Sequence, residues 1–177
     1  MCSTSSRYGA VAQAFHWLIV TLVLAAYVMS KSDSHSLYAA EADRVRRIHE
    51  TLGILVFIVV VLRILWELFD EVPSKPSMAR WVLAVSKFVH LALYALLILI
   101  PATAVLGTWL VGIPITLLGF DIPPQISQVR ELGQLTMALH TRLACAILWI
   151  SGAHAVAALF HHFYRRDDVL RSMLPRD

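Results

Sequence analysis

Residues 139–166 read LHTRLACAILWISGAHAVAALFHHFYRR. From Leu143 to Tyr164 there is no charged side chain. About 20 apolar residues are enough for a helix to cross the hydrocarbon core of a bilayer, so this stretch predicts a membrane span. His140 stands at its entrance and His154 in its middle, fourteen residues on. At 1.5 Å per residue that is about 21 Å of depth, and fourteen steps of about 100° return to within about 40° of the starting direction. One helix therefore carries two imidazoles on one face at two depths. Ionisable groups inside a membrane are costly and mark functional sites by default.

Working outward, three further stretches share this character. One runs uncharged from Tyr8 to Ser30; one is apolar from Thr51 to Leu62, then carries Arg63 and Glu67 before ending near Phe69; one is uncharged from Phe88 to Phe120. The last is too long for one helix, and Gly112 with Pro114 ends it near Val111. Four spanning helices are thus predicted, at about 10–30, 48–69, 85–111 and 137–164. They make an all-α integral membrane four-helix bundle, read as a single transmembrane domain over residues 1–177. Pro73 and Pro76 mark one loop and Pro123 and Pro124 another, while Pro101 falls inside helix three, where it should bend it. The first span lacks a small-residue cleavage site and is interrupted by His16 and Trp17, so it reads as a retained helix and not a signal peptide.

Composition points the same way. Of 177 residues, 58% are hydrophobic and 15% charged, with a net charge of +3 and a mean hydropathy of +0.68. Soluble domains are about 45–50% apolar and about 25% charged. An ordinary cytosolic enzyme, a disordered chain and a nucleic-acid binder are excluded. The two cysteines, Cys2 and Cys145, are too few for a disulfide framework or a thiolate metal site. Lysine and arginine placement sets orientation. Arg7, Arg63, Lys75, Arg80, Lys87, Arg165, Arg166, Arg171 and Arg176 fall on one side; Lys31, Arg44, Arg46, Arg47, Arg130 and Arg142 fall on the other. The bias puts both termini in the cytoplasm.

On that topology the histidines fall into two layers. His49 and His140 share the outer layer; His16 and His154 share the inner one, with His90 nearby. Imidazoles facing each other across a bundle can grip the two faces of a haem iron. Gly53 one turn after His49, Ala144 one turn after His140, and Gly152 and Ala158 around His154 leave room for a flat group. Zinc and copper also take imidazole, but neither layer has a Cys, Met or carboxylate to complete such a site.

Several ordered motifs sharpen this reading. They are His16-Trp17; Ile48-His49 with Gly53; Arg63; Val89-His90-Leu91 through Tyr94 and Pro101; Pro114 and Gly119; His140, Gly152, His154 and His161-His162; and the tail from Asp168 to Arg176. Together they resemble the bacterial cytochrome b561 family over essentially the whole chain. One departure is that family members often place a glutamate after the residue matching His140, where this chain has Thr141-Arg142.

The resemblance implies two haems b in the bundle core, His16 and His154 holding the cytoplasmic-side haem and His49 and His140 the periplasmic-side one. It implies a multi-pass protein of the bacterial inner membrane that moves electrons. Some members oxidise superoxide at the periplasmic face and reduce ubiquinone near the cytoplasmic face; others carry electrons between quinol and a partner redox protein. Both remain open here, beside a histidine-based cation transporter. Arg44, Arg46, Arg47 and Arg142 lie close to the outer ligands and, as the candidate catalytic rim, would attract a small anion. The same arginines could instead neutralise haem propionates and lipid headgroups. Arg63 is a candidate for an inner-haem propionate, or for a pair with Glu67 four residues on. His90, His161 and His162, with Trp17 and Trp81, are candidates for a quinone pocket, or for anchoring at the membrane interface.

Overall fold

A computed structural model describes residues 8–31, 43–69 and 79–174. Four long helices dominate: α1 (Ala10–Lys31), α2 (Asp43–Glu67), α3 (Arg80–Val111) and α4 (Arg130–Phe160). Each is long and apolar enough to cross a membrane. The order and number match the sequence expectation, but three starts come earlier, at Asp43, Arg80 and Arg130 in place of 48, 85 and 137. The reason is physical. An uncharged window measures the thickness of the lipid, whereas a helix continues into water wherever polar residues still favour it. Arg46 and Glu50, for example, sit at i,i+4 and pair at 2.7 Å. Pro73, Pro76 and His35 lie outside the described residues, as do Arg7, Lys75, Cys2 and Arg176.

α3 ends where expected, at Val111. Gly112 adopts a left-handed conformation, φ 91°, and its N–H closes onto the carbonyls of Thr108 and Trp109. A short hairpin then follows that the uncharged run to Phe120 concealed. Strands β1 (Ile115–Leu117) and β2 (Phe120–Ile122) pair antiparallel, with Thr116 opposite Asp121. Leu118 (φ 51°) and Gly119 (φ 90°) form the two-residue turn. Two positive φ angles in succession are what a tight hairpin needs to match the strand twist. Asn or Asp usually takes the first of these positions; leucine there hid the turn.

The bundle is built from two close pairs. α1 packs along α2 and α3 along α4; α2 touches α3 more lightly, and α1 and α4 barely meet. The α3–α4 pair is tight near the hairpin: a Cβ on Gly107 would lie 2.7 Å from Met137 Sδ, and one on Gly133 would lie 2.7 Å from Val111 Cγ2. Small residues let helix backbones approach in this way. Ile19, Val56 and Val60 form the buried core, with Tyr94, Leu97 and Ile98 of α3 laid against it. The outward faces remain apolar and exposed, Trp149, Val156 and Leu159 among them, as a lipid-facing surface requires. One end of the bundle carries the hairpin. At the other the tail folds back over α1: Tyr8 N–H and Gln13 Nε2 both donate to the Ser172 carbonyl, at 3.2 and 3.1 Å.

Candidate cofactor and redox sites

At the hairpin end each close helix pair presents one histidine. His49 of α2 places Nδ1 2.9 Å from the Ala26 carbonyl of α1, and His140 of α4 places Nδ1 2.8 Å from the Ile100 carbonyl of α3. A carbonyl oxygen only accepts, so both Nδ1 atoms carry the proton and both Nε2 atoms keep a free lone pair. This carbonyl-oriented tautomer is the usual state of a metal-ligating histidine. The ring centroids are 6.4 Å apart with planes at 88°. With metal–imidazole bonds of about 2.0–2.1 Å, two rings on opposite faces of one ion would have centroids about 6 Å apart. The ring spacing is of the size that two imidazoles holding one iron between them would need. Beside it, a Cβ added to Gly53 would meet nothing within 4 Å, so there is open space against the histidine layer. Among the described residues no group of three or more His, Cys, Asp or Glu side chains is placed to hold a metal ion.

At the termini end His16 of α1 lies within electrostatic reach of His154, His90 and Arg63. His154 meets His90 edge-on, with centroids 5.2 Å apart and planes at 72°, and its ring makes no contact with that of His16. Gly152, two residues before His154, is exposed and lies about 200° round the helix from it, so the open space at its Cβ is not beside that ring. Both histidine layers draw one member from the α1–α2 pair and one from the α3–α4 pair. A flat ligand would therefore bridge a seam that protein contacts leave loose.

Arg63 is held by its own chain. Its Nε–H donates to Tyr94 Oη at 2.8 Å and to Glu67 Oε1 at 3.3 Å, and the Tyr94 hydroxyl donates to the same carboxylate. The guanidinium also lies over the Tyr94 ring, 5.7 Å from its centroid. The i,i+4 pair expected as one alternative is present, and Tyr94 extends it into a triad that spacing along α2 could not reveal.

The four arginines proposed as an outer rim separate into two groups. Arg46 pairs with Glu50 at 2.7 Å, both side chains nearly buried, and Glu50 also accepts the Thr116 N–H at 2.8 Å. Arg47 grips both oxygens of Asp121, at 2.9 and 3.0 Å, and the Gly119 carbonyl. A hydrogen bond from the Thr116 hydroxyl, then Arg47, holds the Asp121 carboxyl below its ordinary range. These contacts fasten the hairpin over the end of α2. Arg44 and Arg142 are exposed and make no ion pair with a described residue. Sequence reasoning missed Glu50, Thr116 and Asp121, because the contacts that tie α2 to the hairpin join residues 66 to 74 positions apart.

Of the quinone-pocket candidates, Trp17 donates its indole N–H to the Met173 carbonyl at 2.9 Å. His161 places Nδ1 2.6 Å from Asp167 Oδ2. His162 stacks edge-on against Phe163 at 4.9 Å, and Trp81 is 71% exposed at the start of α3. One buried polar atom, Trp109 Nε1, has no acceptor among the described residues.

The family described as prokaryotic cytochrome b561 matches residues 7–176. The chain belongs to this family. Cytochrome b561 homolog 2 of Escherichia coli K12 is 32% identical over 97% of this chain and 93% of its own length. Cytochrome b561 homolog 1 of the same organism is 25% identical over 97% and 98%. A protein of Yersinia pestis named probable superoxide oxidase CybB is 25% identical over 96% and 97%. This cytochrome b561 is accordingly a bacterial integral membrane protein of electron transfer, in a family that implies haem b. The tautomer-fixed pair at the hairpin end carries the kind of donor atoms that such a group would need.

Proposed function

We propose that this cytochrome b561 passes electrons across the bacterial inner membrane through two haems b, oxidising superoxide at the periplasmic face and reducing ubiquinone near the cytoplasmic face. His49 and His140 hold the outer haem, and His16 and His154 the inner one, with both chain termini in the cytoplasm. The observation that carries the reading is the hairpin-end pair: two Nε2 lone pairs, fixed by backbone carbonyls, at the spacing one iron needs. When bound, haem supplies the one-electron redox change; the protein supplies position, burial and tuning.

The remaining roles fall to side chains. Arg44 and Arg142, exposed and unpaired with described residues, steer the anion toward the outer layer. Arg46 and Arg47 fix the hairpin that covers that end and add to the local field, partly offset by Glu50 and Asp121. Arg63, held by Tyr94 and Glu67, sits where an inner propionate would find a charge-assisted donor. His161 faces the quinone, with His90 and Trp17 beside the inner layer. Each superoxide gives up one electron and leaves as dioxygen. Ubiquinone takes two electrons and two protons to become ubiquinol. The name of the Yersinia relative supports superoxide as donor.

Purified protein, oxidised and mixed with superoxide in a stopped-flow instrument, should show haem reduction faster than with other weak one-electron reductants. Liposomes holding the protein and ubiquinone should then accumulate ubiquinol. If superoxide reduces the haem no faster than those reductants, the donor is instead a partner dehydrogenase, and the protein is a non-catalytic subunit feeding the quinone pool. A preparation without a Soret band would exclude both.

A further inference from the structure

Beyond α4 the chain does something a spanning helix does not require. Residues His161–Arg165 widen into a π-helical turn, and Arg166 takes a left-handed conformation, φ 54°. The chain reverses there, and Asp167 returns onto His161. The Asp167 N–H donates to the His161 carbonyl at 3.2 Å, and Asp167 Oδ2 lies 2.6 Å from His161 Nδ1. The carboxylate is itself held, because the Val169 N–H donates to its other oxygen at 3.2 Å. Further along, Ser172 and Met173 are bonded to Gln13 and Trp17 of α1. The tail is thus a strap from α4 to the helix that carries His16, with an Asp–His pair at its root. Both side chains are largely shielded, at 16% and 24% exposure for His161 and Asp167. Left-handed non-glycine residues and π turns are uncommon and gather at functional sites.

We propose that Asp167 is a positioning residue for quinone reduction. Its carboxylate takes the Nδ1–H of His161, so that Nε2 alone faces the quinone carbonyl and hands it a proton. The inference rests on the reading of His161 as the quinone-facing histidine. The electrons come one at a time from two superoxide ions. Nε2, bare in the neutral ring, first takes a proton from hydronium in the aqueous phase. As the quinone is reduced, an O–H bond forms on a quinone oxygen, that Nε2–H bond breaks, and the ring returns to the form whose Nδ1–H is donated to Asp167. The other quinone oxygen takes its proton from a second hydronium, each hydronium leaving water behind. The Asp167 carboxylate accepts from Nδ1–H throughout and keeps the ring from turning. A cavity of about 360 Å³, lined by His162, Phe163, Arg166, Asp167 and Arg171, lies beside this carboxylate. The other charged groups near the pair are Arg165 and Asp168, on the same turn and strap.

The test uses the full-length, haem-loaded protein in lipid nanodiscs, labelled with ¹⁵N-histidine, and a short-chain ubiquinone as probe. In the wild type the neutral His161 ring should show Nδ1 protonated and Nε2 bare. Asp167→Asn should lose that signature and slow reoxidation of the reduced protein by the probe at least about tenfold, the scale of a misplaced general acid. Its apparent KM for the probe should stay within about twofold, because Asp167 does not touch the quinone. Asp167→Glu should restore much of both. An unchanged ¹⁵N signature and rate in Asp167→Asn would overturn the role of Asp167, even where His161→Gln is slow. Reoxidation of His161→Gln at the wild-type rate would overturn the quinone assignment of His161, and this proposal with it.

Discussion

His49 and His140 sit on different helix pairs yet are prepared in the same way, each with Nδ1–H committed to a carbonyl of the neighbouring helix. Such a ring loses little freedom on ligating, which raises affinity without any new contact. Replacing His140 with alanine should remove the haem of that layer alone. The haem content measured as pyridine haemochrome should fall from two per chain to one, with a Soret band still present. Arg63 offers a second test. Because Tyr94 and Glu67 hold its Nε side, the charge has a fixed place near the His16 layer. Arg63→Ala should move the midpoint potential of the inner haem in a redox titration and leave the outer one where it was. Equal shifts in both, or none, would remove its assignment to the inner propionate.

At the scale of elements, the hairpin is the part whose stability answers to pH. The Asp121 carboxyl lies below its ordinary range in the folded protein, through Thr116 and then Arg47. The unfolded hairpin therefore binds its proton first as pH falls. The contribution of Asp121 is full above the ordinary aspartate value of about 4 and is lost as pH drops through the lower folded value. Protection of the Thr116 and Leu117 amides, taken as exchange relative to the intrinsic rate at each pH, should fall over that acid range in the wild type. In Asp121→Asn protection should be lower at neutral pH and should not change further over that range. The turn itself carries strain, since Leu118 is left-handed. Leu118→Asn should relieve on the order of 1 kcal/mol, seen as slower exchange in the same strands. A helix-pair contact makes the contrast. Gly133→Val should destabilise the α3–α4 pair by about 1–3 kcal/mol, because its Cβ would meet Val111.

For the whole molecule, the decisive feature is the loose seam between the two helix pairs. If haem is held by His49 with His140 and by His16 with His154, as proposed, it crosses that seam, and a ligand that binds only the folded state stabilises it by mass action. Protein produced without haem should unfold at a lower temperature in detergent, and added haem should raise that temperature in proportion to occupancy. Gly53→Leu tests the space itself. Its Cβ would meet no protein within 4 Å, so the haem-free chain should fold with wild-type helicity while its haem content drops. Full haem loading in this variant would mean that the flat group lies elsewhere.

The membrane class and the four spans could be read from the chain alone. Lipid imposes a minimum apolar length, and the period of 3.6 residues fixes which histidines share a face; both are local constraints. Helix starts at Asp43, Arg80 and Arg130 escaped that reading because nothing about bilayer thickness limits a helix in water. The hairpin, the Glu67–Arg63–Tyr94 triad and the sorting of the four arginines were decided by tertiary structure. Each depends on groups tens of residues apart, and an ion pair forms only where folding brings the two charges within reach. The carbonyls of Ala26 and Ile100, which choose the nitrogen that each outer histidine presents, are backbone atoms common to nearly every residue. No pattern of side chains could have marked them, and only the packing of α1 on α2 and α3 on α4 gave them that part.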